Sequence, residues 1–254
     1  MFEVVQTRSP DPWRATWTGV VTAAVLTGCA GPQSMLDPAG PSAHAIAAVW
    51  WWMLGVSALV LLGVVALWLV AMGRHAPTAN DDTQLGAGQT GRRWIIGGGI
   101  MLPVAAIVPL LIFGSPAGLH QLPLARSIAG ETAAPPLRVN ATGQQWWWAL
   151  HYPASGVRLR NELRLPVGRP VFVHVGSVDV IHSFWVPRLG GKLDAIPGRI
   201  GIVRLQADQA GSFRGQCAEF CGLGHAHMVM TVIAMPAAEF DAWLTAQASV
   251  ANHD

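Results

Sequence analysis

The sequence predicts a membrane-anchored all-β protein: two transmembrane helices, then a β-sandwich or barrel, then a short C-terminal helix. Three observations carry this. Hydrophobic residues make up 52% of the 254 residues and charged ones only 12%, against about 25% charged in a typical soluble domain, so much of the chain must be buried in something other than a water-facing globule. Two long runs carry no charge at all. After them, short stretches of period-two alternation recur between turn residues.

At the N-terminus, Arg8 and Arg14 precede a short apolar run from Trp17 to Leu26, which ends in Leu26-Thr27-Gly28-Cys29. The run is too short to cross a bilayer and follows positive charge, the pattern of a signal peptide over residues 1–28. Its ending resembles a bacterial lipoprotein box, in which the cysteine becomes the acylated first residue; Cys29 is the candidate, with an ordinary signal and a free cysteine as the alternative. Residues 29–43 would form an extracytoplasmic segment.

From Ala45 to Gly73 there are 29 residues without a charge, with Trp50, Trp51 and Trp52 at one end and Trp68 towards the other. This exceeds the ~20 residues a span requires, and tryptophans suit the headgroup level. The first transmembrane helix is therefore expected over 44–73. A second uncharged run from Trp94 contains Pro103 and Pro109, and predicts a span over 94–115 that packs against other helices, where freed carbonyls find partners. Between them, residues 74–93 carry Arg74, Arg92 and Arg93 against Asp81 and Asp82, which makes that loop cytoplasmic. The C-terminal domain then lies on the outer face of a bacterial plasma membrane.

Residues 116–136 are rich in Gly, Pro, Ala and Ser and form a linker. Runs at 137–142, 145–152, 161–165, 171–176, 180–186, 201–207, 212–217 and 228–235 alternate as strands do. Their spacing implies an antiparallel sandwich or barrel over 137–236. Pro236 opens a short helix in the C-terminal segment 237–254, with Phe240, Trp243 and Leu244 on one face. The net charge of +2 and a single lysine exclude electrostatic capture of nucleic acid, which needs a basic cluster.

The chain has three cysteines, and two of them, Cys217 and Cys221, lie in the stretch CAEFCGLGHAHM with His225, His227 and Met228 close behind. In a loop between strands this spacing lets soft donors converge. Two thiolates, an imidazole and a thioether select copper or an iron-sulfur centre over magnesium or calcium. Zinc is disfavoured by the methionine, and an iron-sulfur cluster by the want of four cysteines. A second histidine must come from elsewhere, and His182, at an expected strand end, is placed to supply it. A Cys217–Cys221 disulfide is the alternative in an oxidising compartment, which would leave the histidines and methionine as ordinary residues. His227 is expected to face solvent or a partner, His174 to be a hydrogen-bonded core or surface histidine, and Met230 and Met235 to be core.

These residues carry a resemblance. Cys217-Ala218-Glu219-Phe220-Cys221-Gly222, with His225 and Met228, resembles the dinuclear copper (CuA) loop of subunit II of cytochrome c oxidases. The stretch DVIHSFWVPRLGGKLDAIPGRI (179–200) resembles the second signature of that family, and ATGQQWWWALHYP (141–153) its aromatic strand. The resemblance implies a cupredoxin-like domain on a two-helix anchor. It implies two copper ions held by His182, Cys217, the Glu219 carbonyl, Cys221, His225 and Met228. It also implies a magnesium or manganese ion at the Glu219 side chain, shared with the catalytic subunit, and Trp146 as the aromatic through which electrons arrive. The implied function is that of the electron-receiving subunit of a proton-pumping haem-copper oxidase, with subunits I and III and membrane lipid as partners and cytochrome c as donor. The same subunit of a copper-containing nitric oxide reductase is the alternative; quinol-oxidising relatives lack these copper ligands, and a copper chaperone or a disulfide-stapled binding domain would stand alone.

The chain also departs from the family pattern. Gln144 stands where many members have a histidine, and Gln89-Thr90-Gly91-Arg92-Arg93 where many carry a glutamate at a proton channel. Carboxylates for docking a basic donor are few, with Asp179 and Glu162 the candidates.

Overall fold

A computed structural model describes residues 30–74, 83–119 and 137–251; the signal segment, Cys29 and residues 120–136 lie outside the described residues. Helix α1 (Pro41–Gly73) begins with a proline at its first turn, where the missing N–H costs nothing. Its 33 residues extend about 50 Å. Helix α2 (Thr83–Ile96) continues through a π turn, Gly97–Met101, into α3 (Leu102–Leu119). Pro103 has no N–H to offer Gly99 and its ring crowds the preceding turn, so the wider turn falls where a regular α turn is hardest to build. The helix that carries the second apolar window thus starts at Thr83, ahead of the expected Trp94. Both helices contain windows of high mean hydropathy, 2.6 and 2.4, that bury nothing inside the protein, as lipid-facing surface requires. Helix α1 packs against α3.

The β domain has ten strands: β1 (Leu137–Gln144), β2 (Trp147–His151), β3 (Arg158–Arg160), β4 (Glu162–Pro166), β5 (Val171–Ser177), β6 (His182–Trp185), β7 (Leu193–Ala195), β8 (Gly201–Leu205), β9 (Gly211–Cys217) and β10 (Val229–Met235). They form two five-stranded sheets, ordered β3-β2-β1-β5-β8 and β4-β10-β9-β6-β7. The sheets are mixed rather than purely antiparallel, because β1 pairs with β5 and β4 with β10 in parallel. The short strands β3 and β7 carry too little alternation to stand out in the sequence.

Alternation decides which side chains meet between the sheets. Val139, Ala141, Trp148, Leu150, Val171, Val173, Val175 and Val203 from one sheet face Leu163, Leu165, Phe184, Phe213, Met230 and Val232 from the other, all buried. Trp148 meets Phe184 edge to face at 5.3 Å, the arrangement aromatic rings prefer. The chain passes from one sheet to the other at Asn161, whose φ of 54° lies in the left-handed region. Its side-chain oxygen accepts from the Trp148 amide at 2.7 Å and its carbonyl from the Thr231 amide at 2.9 Å. Asparagine tolerates that backbone better than most residues.

Helix α4 (Ala237–Ala251) covers one end of the sandwich, with Phe240 and Trp243 against Tyr152. The buried Tyr152 hydroxyl donates to the Arg164 carbonyl at 2.6 Å and accepts from the Arg164 amide at 2.8 Å, so a side chain satisfies the backbone on the open side of β4.

The membrane anchor and the domain are clasped together ahead of α1. The Ala39 amide donates to the Arg188 carbonyl and the Asp208 amide to the Ala39 carbonyl, both at 2.8 Å. Arg188 also reaches back to Asp37, at 2.7 Å to its carbonyl and 3.0 Å to its carboxylate. At Gly40 any Cβ would fall 2.1 Å from the Gln206 carbonyl oxygen, so only glycine fits. Ser42, Ala43 and Ala47 are then buried in the first turns of the helix.

Candidate metal centre

The cysteine loop is closed before any side chain is considered. Strand β9 ends at Cys217 and β10 begins after Met228, and the Cys217 amide donates to the Met228 carbonyl at 2.9 Å. The Ala218 amide donates to the Ser183 carbonyl at 3.0 Å, which ties the loop to β6. A single 3₁₀ turn, His225–His227, folds the far arm back. On β6, Phe184 pairs with Cys217, and this register brings His182 beside the loop.

The donors converge. The Cys217 and Cys221 sulfurs lie 3.8 Å apart, nearly twice the length of a disulfide bond. His182 Nδ1 is 3.8 Å from the Cys217 sulfur, and the Glu219 carbonyl 3.2 Å from it. His225 Nδ1 is 3.6 Å and Met228 Sδ 3.8 Å from the Cys221 sulfur. The nitrogen and sulfurs of His182, Cys217 and Cys221 all lie within 4.8 Å of one another, and all three residues are buried. Burial first, then the neighbouring Cys217 thiol, pushes Cys221 up to about 12. A thiol so placed becomes a stable thiolate only when a cation joins it. The soft donor set fits copper.

The centre has an organising layer that the spacing alone did not show. His182 Nε2 lies 2.8 Å from Asp179 Oδ1; with a proton on Nε2, Nδ1 keeps its lone pair towards the sulfurs. Asp179 also accepts from the Gln145 and Val180 amides, each at 2.6 Å. Burial pushes its carboxyl up, but the hydrogen bonds from His182, Gln145 and Val180 together outweigh that and bring it down to about 2. Behind the imidazole, a Cβ on Gly143 would lie 2.8 Å from His182 Cδ2, so this glycine is the wall on which the ring rests.

Trp146 stands in the β1–β2 turn, 39% exposed. Its indole Nε1 donates to the Cys221 carbonyl at 3.2 Å, and Gln145 Nε2 donates to the same oxygen at 2.9 Å. The ring lies against Gly224, where a Cβ would be 2.4 Å from Trp146 Cδ2. One side chain therefore reaches from the protein surface to the metal loop.

Of the other residues singled out in the sequence, Trp148 is core, and Trp147 lies partly buried under the Arg160 guanidinium at 4.4 Å from its ring. Glu219, His227 and Phe220 are exposed. His174 faces outward from β5, away from the donors; burial, and then Arg138, lower its pKa. Glu162 is paired with Arg164 at 2.6 Å.

Residues 156–235 match the family model described as cytochrome c oxidase subunit II, periplasmic domain. The chain is 34% identical over 224 residues to cytochrome c oxidase subunit 2 of Alkalihalophilus pseudofirmus, covering 86% of this chain and 64% of that one, so it spans less than two thirds of that relative's length. It is 33% identical over 172 residues to cytochrome c oxidase subunit 2 of Branchiostoma floridae, covering 59% of this chain and 74% of that one. A solved structure of the periplasmic domain of subunit II of cytochrome oxidase from Bradyrhizobium japonicum is 34% identical with a TM-score of 0.43, covering 45% of this chain and 95% of that one.

Proposed function

The chain belongs to the cytochrome c oxidase subunit II family, and from that premise we propose that it is the electron-receiving subunit of a haem-copper oxidase, holding two copper ions and taking electrons from a cytochrome c. The observation that carries this reading is the convergence of two thiols, 3.8 Å apart, with two imidazoles and a thioether, directly beneath a surface indole bonded to the Cys221 carbonyl. His182, Cys217, Cys221, His225, Met228 and the Glu219 carbonyl would hold the ions. When bound, the copper pair supplies a one-electron relay whose charge is spread over two metals.

The chain's own residues do the rest. Strands β6, β9 and β10 hold the donors still, so that little rearrangement accompanies a change of charge. Asp179 fixes the tautomer and the tilt of His182, and partners of this kind tune a centre's potential and affinity. Burial of Cys217, Cys221 and Met228 keeps water from the sulfurs. Trp146 offers an external donor a contact one hydrogen bond from Cys221. The exposed Glu219 carboxylate is free to meet a magnesium or manganese ion at the face of the catalytic subunit, to which the electron passes for oxygen reduction and proton pumping. Helices α1 and α3 anchor the chain beside that partner in the plasma membrane.

Copper analysis and electron spin resonance of the full chain test the reading. Two coppers per chain and a mixed-valence signal are expected, both lost in Cys217→Ser and in Cys221→Ser. A wild-type chain that takes up one copper or none overturns it.

A further inference from the structure

Among the described residues, the strands of the first sheet carry charge of one sign. Registers across β3, β2, β1 and β5 align Arg158, His151, Asn140 and His174 in one row. Adjoining rows place Arg160 beside Ala149 and Arg138 beside Phe172. The five strands of this sheet contain no aspartate or glutamate. Among the described residues, no carboxylate forms an ion pair with Arg138, Arg158 or Arg160. A groove of about 520 Å³ runs over the face, lined by Asn140, Thr142, Trp147, His151, Arg158 and Arg160. It begins at Trp147, the residue next to Trp146, so the cationic face adjoins the surface through which an electron would arrive.

The nearby acids do not offset it. Asp179 is engaged by His182 and two backbone amides, Glu162 is paired with Arg164, and Glu219 is assigned above to the catalytic-subunit side. Lipid headgroups fit the face less well than a soluble partner does. The membrane helix is clasped at the residues just after β8, Gln206 to Asp208, whereas Arg158 and Arg160 lie on β3 at the opposite edge, about 19 Å away across five strands.

We propose that the electron donor docks through an acidic face, its carboxylates meeting Arg158 and Arg160 while its redox centre approaches Trp146. This rests on the electron-receiving reading above and specifies the partner: a small redox protein with a carboxylate-rich rim, opposite in sign to a lysine-rich one. Complementary charge of this kind raises encounter rates by about 10–10³-fold and is screened by salt.

The test is binding of the full chain, in zwitterionic detergent, to a lysine-rich mitochondrial cytochrome c and to the same protein with its lysines succinylated. The succinylated form should bind at least about tenfold more tightly at low salt, and the preference should fade as salt rises through the physiological range. Arg158→Glu/Arg160→Glu should abolish or reverse it, and Arg158→Gln/Arg160→Gln should fall between. All four substitutions are at exposed positions, and an unchanged melting profile confirms that the fold is intact. Tighter binding of the lysine-rich form, binding of neither form, or an unmoved preference in the glutamate variant overturns the proposal. Copper content measured on the same samples separates the two claims: two coppers without the charge preference defeats the acidic donor alone, and no copper defeats the electron-receiving reading and this proposal with it.

Discussion

His182 is held from two sides: its Nε2 lies 2.8 Å from Asp179 Oδ1 while its Nδ1 faces the Cys217 sulfur at 3.8 Å. The carboxylate decides which nitrogen keeps a lone pair, and its remaining hydrogen bonds tie that choice to the turn bearing Trp146.

Asp179→Asn keeps the size of this group and removes its charge. Copper affinity should fall about 10–100-fold, the usual cost of losing a carboxylate behind a ligating histidine, with the melting profile of the copper-free chain little changed. Competition with a chelator measures this, and wild-type affinity in the variant would rule out the positioning role.

At Gly143 a methyl group would lie 2.8 Å from the His182 ring. Gly143→Ala should therefore push the imidazole out of line, costing about 1–3 kcal/mol as overpacking does and weakening the copper signal. Thermal melting read alongside copper content checks it. An alanine variant indistinguishable from wild type would show that the ring has room the structure denies it.

Tyr152 is buried and hydrogen-bonded to both backbone groups of Arg164. Tyr152→Phe leaves that amide and carbonyl without their side-chain partner, at about 1–3 kcal/mol. The same burial raises the Tyr152 pKa well above its ordinary value of 10.0. The stability this group contributes is fully present below the unfolded value and is lost as pH rises beyond it, since the unfolded chain then releases a proton that the folded one retains. Urea midpoints taken from neutral pH to above 10 should fall in wild type and fall less steeply in the phenylalanine variant; parallel curves would contradict it.

The clasp at Gly40 predicts a third kind of effect. Gly40→Ala places a Cβ 2.1 Å from the Gln206 carbonyl oxygen, so the backbone bonds of Ala39 and Asp208 should open. Their amides should exchange hydrogen faster while the copper signal stays as in wild type. Unchanged protection at both positions would mean the segment is not held in this way.

Much of the centre was legible in the sequence because its spacing is local. Cys217, Cys221, His225 and Met228 belong to one loop, and a loop closed between two strands gathers its own donors whatever the remainder of the fold does. The two spans were legible for a similar reason, since an uncharged run of membrane length has few other uses. His182 came from the need for a second histidine at a strand end and Trp146 from resemblance to a known motif, and the structure brings both to the loop.

Other features needed long-range packing. Asp179 was singled out as a docking carboxylate, and only the meeting of the β5–β6 and β1–β2 loops shows it held by His182 and Gln145. Gly143 and Gly224 are small because an imidazole and an indole rest on them, which no run of neighbouring residues reveals. The parallel pairings of β1 with β5 and β4 with β10 likewise arise from how distant segments add to a sheet.

By itself, then, the sequence determined the anchor, the class of fold and the identity of the soft donors, because apolar length, alternation and ligand spacing are written along the chain. Only the tertiary structure decided which nitrogen of His182 faces the sulfurs, where the indole touches the loop, and that scattered arginines of a nearly neutral domain share one face. Those outcomes depend on strand register and on contacts between segments far apart in the chain, which no local pattern encodes.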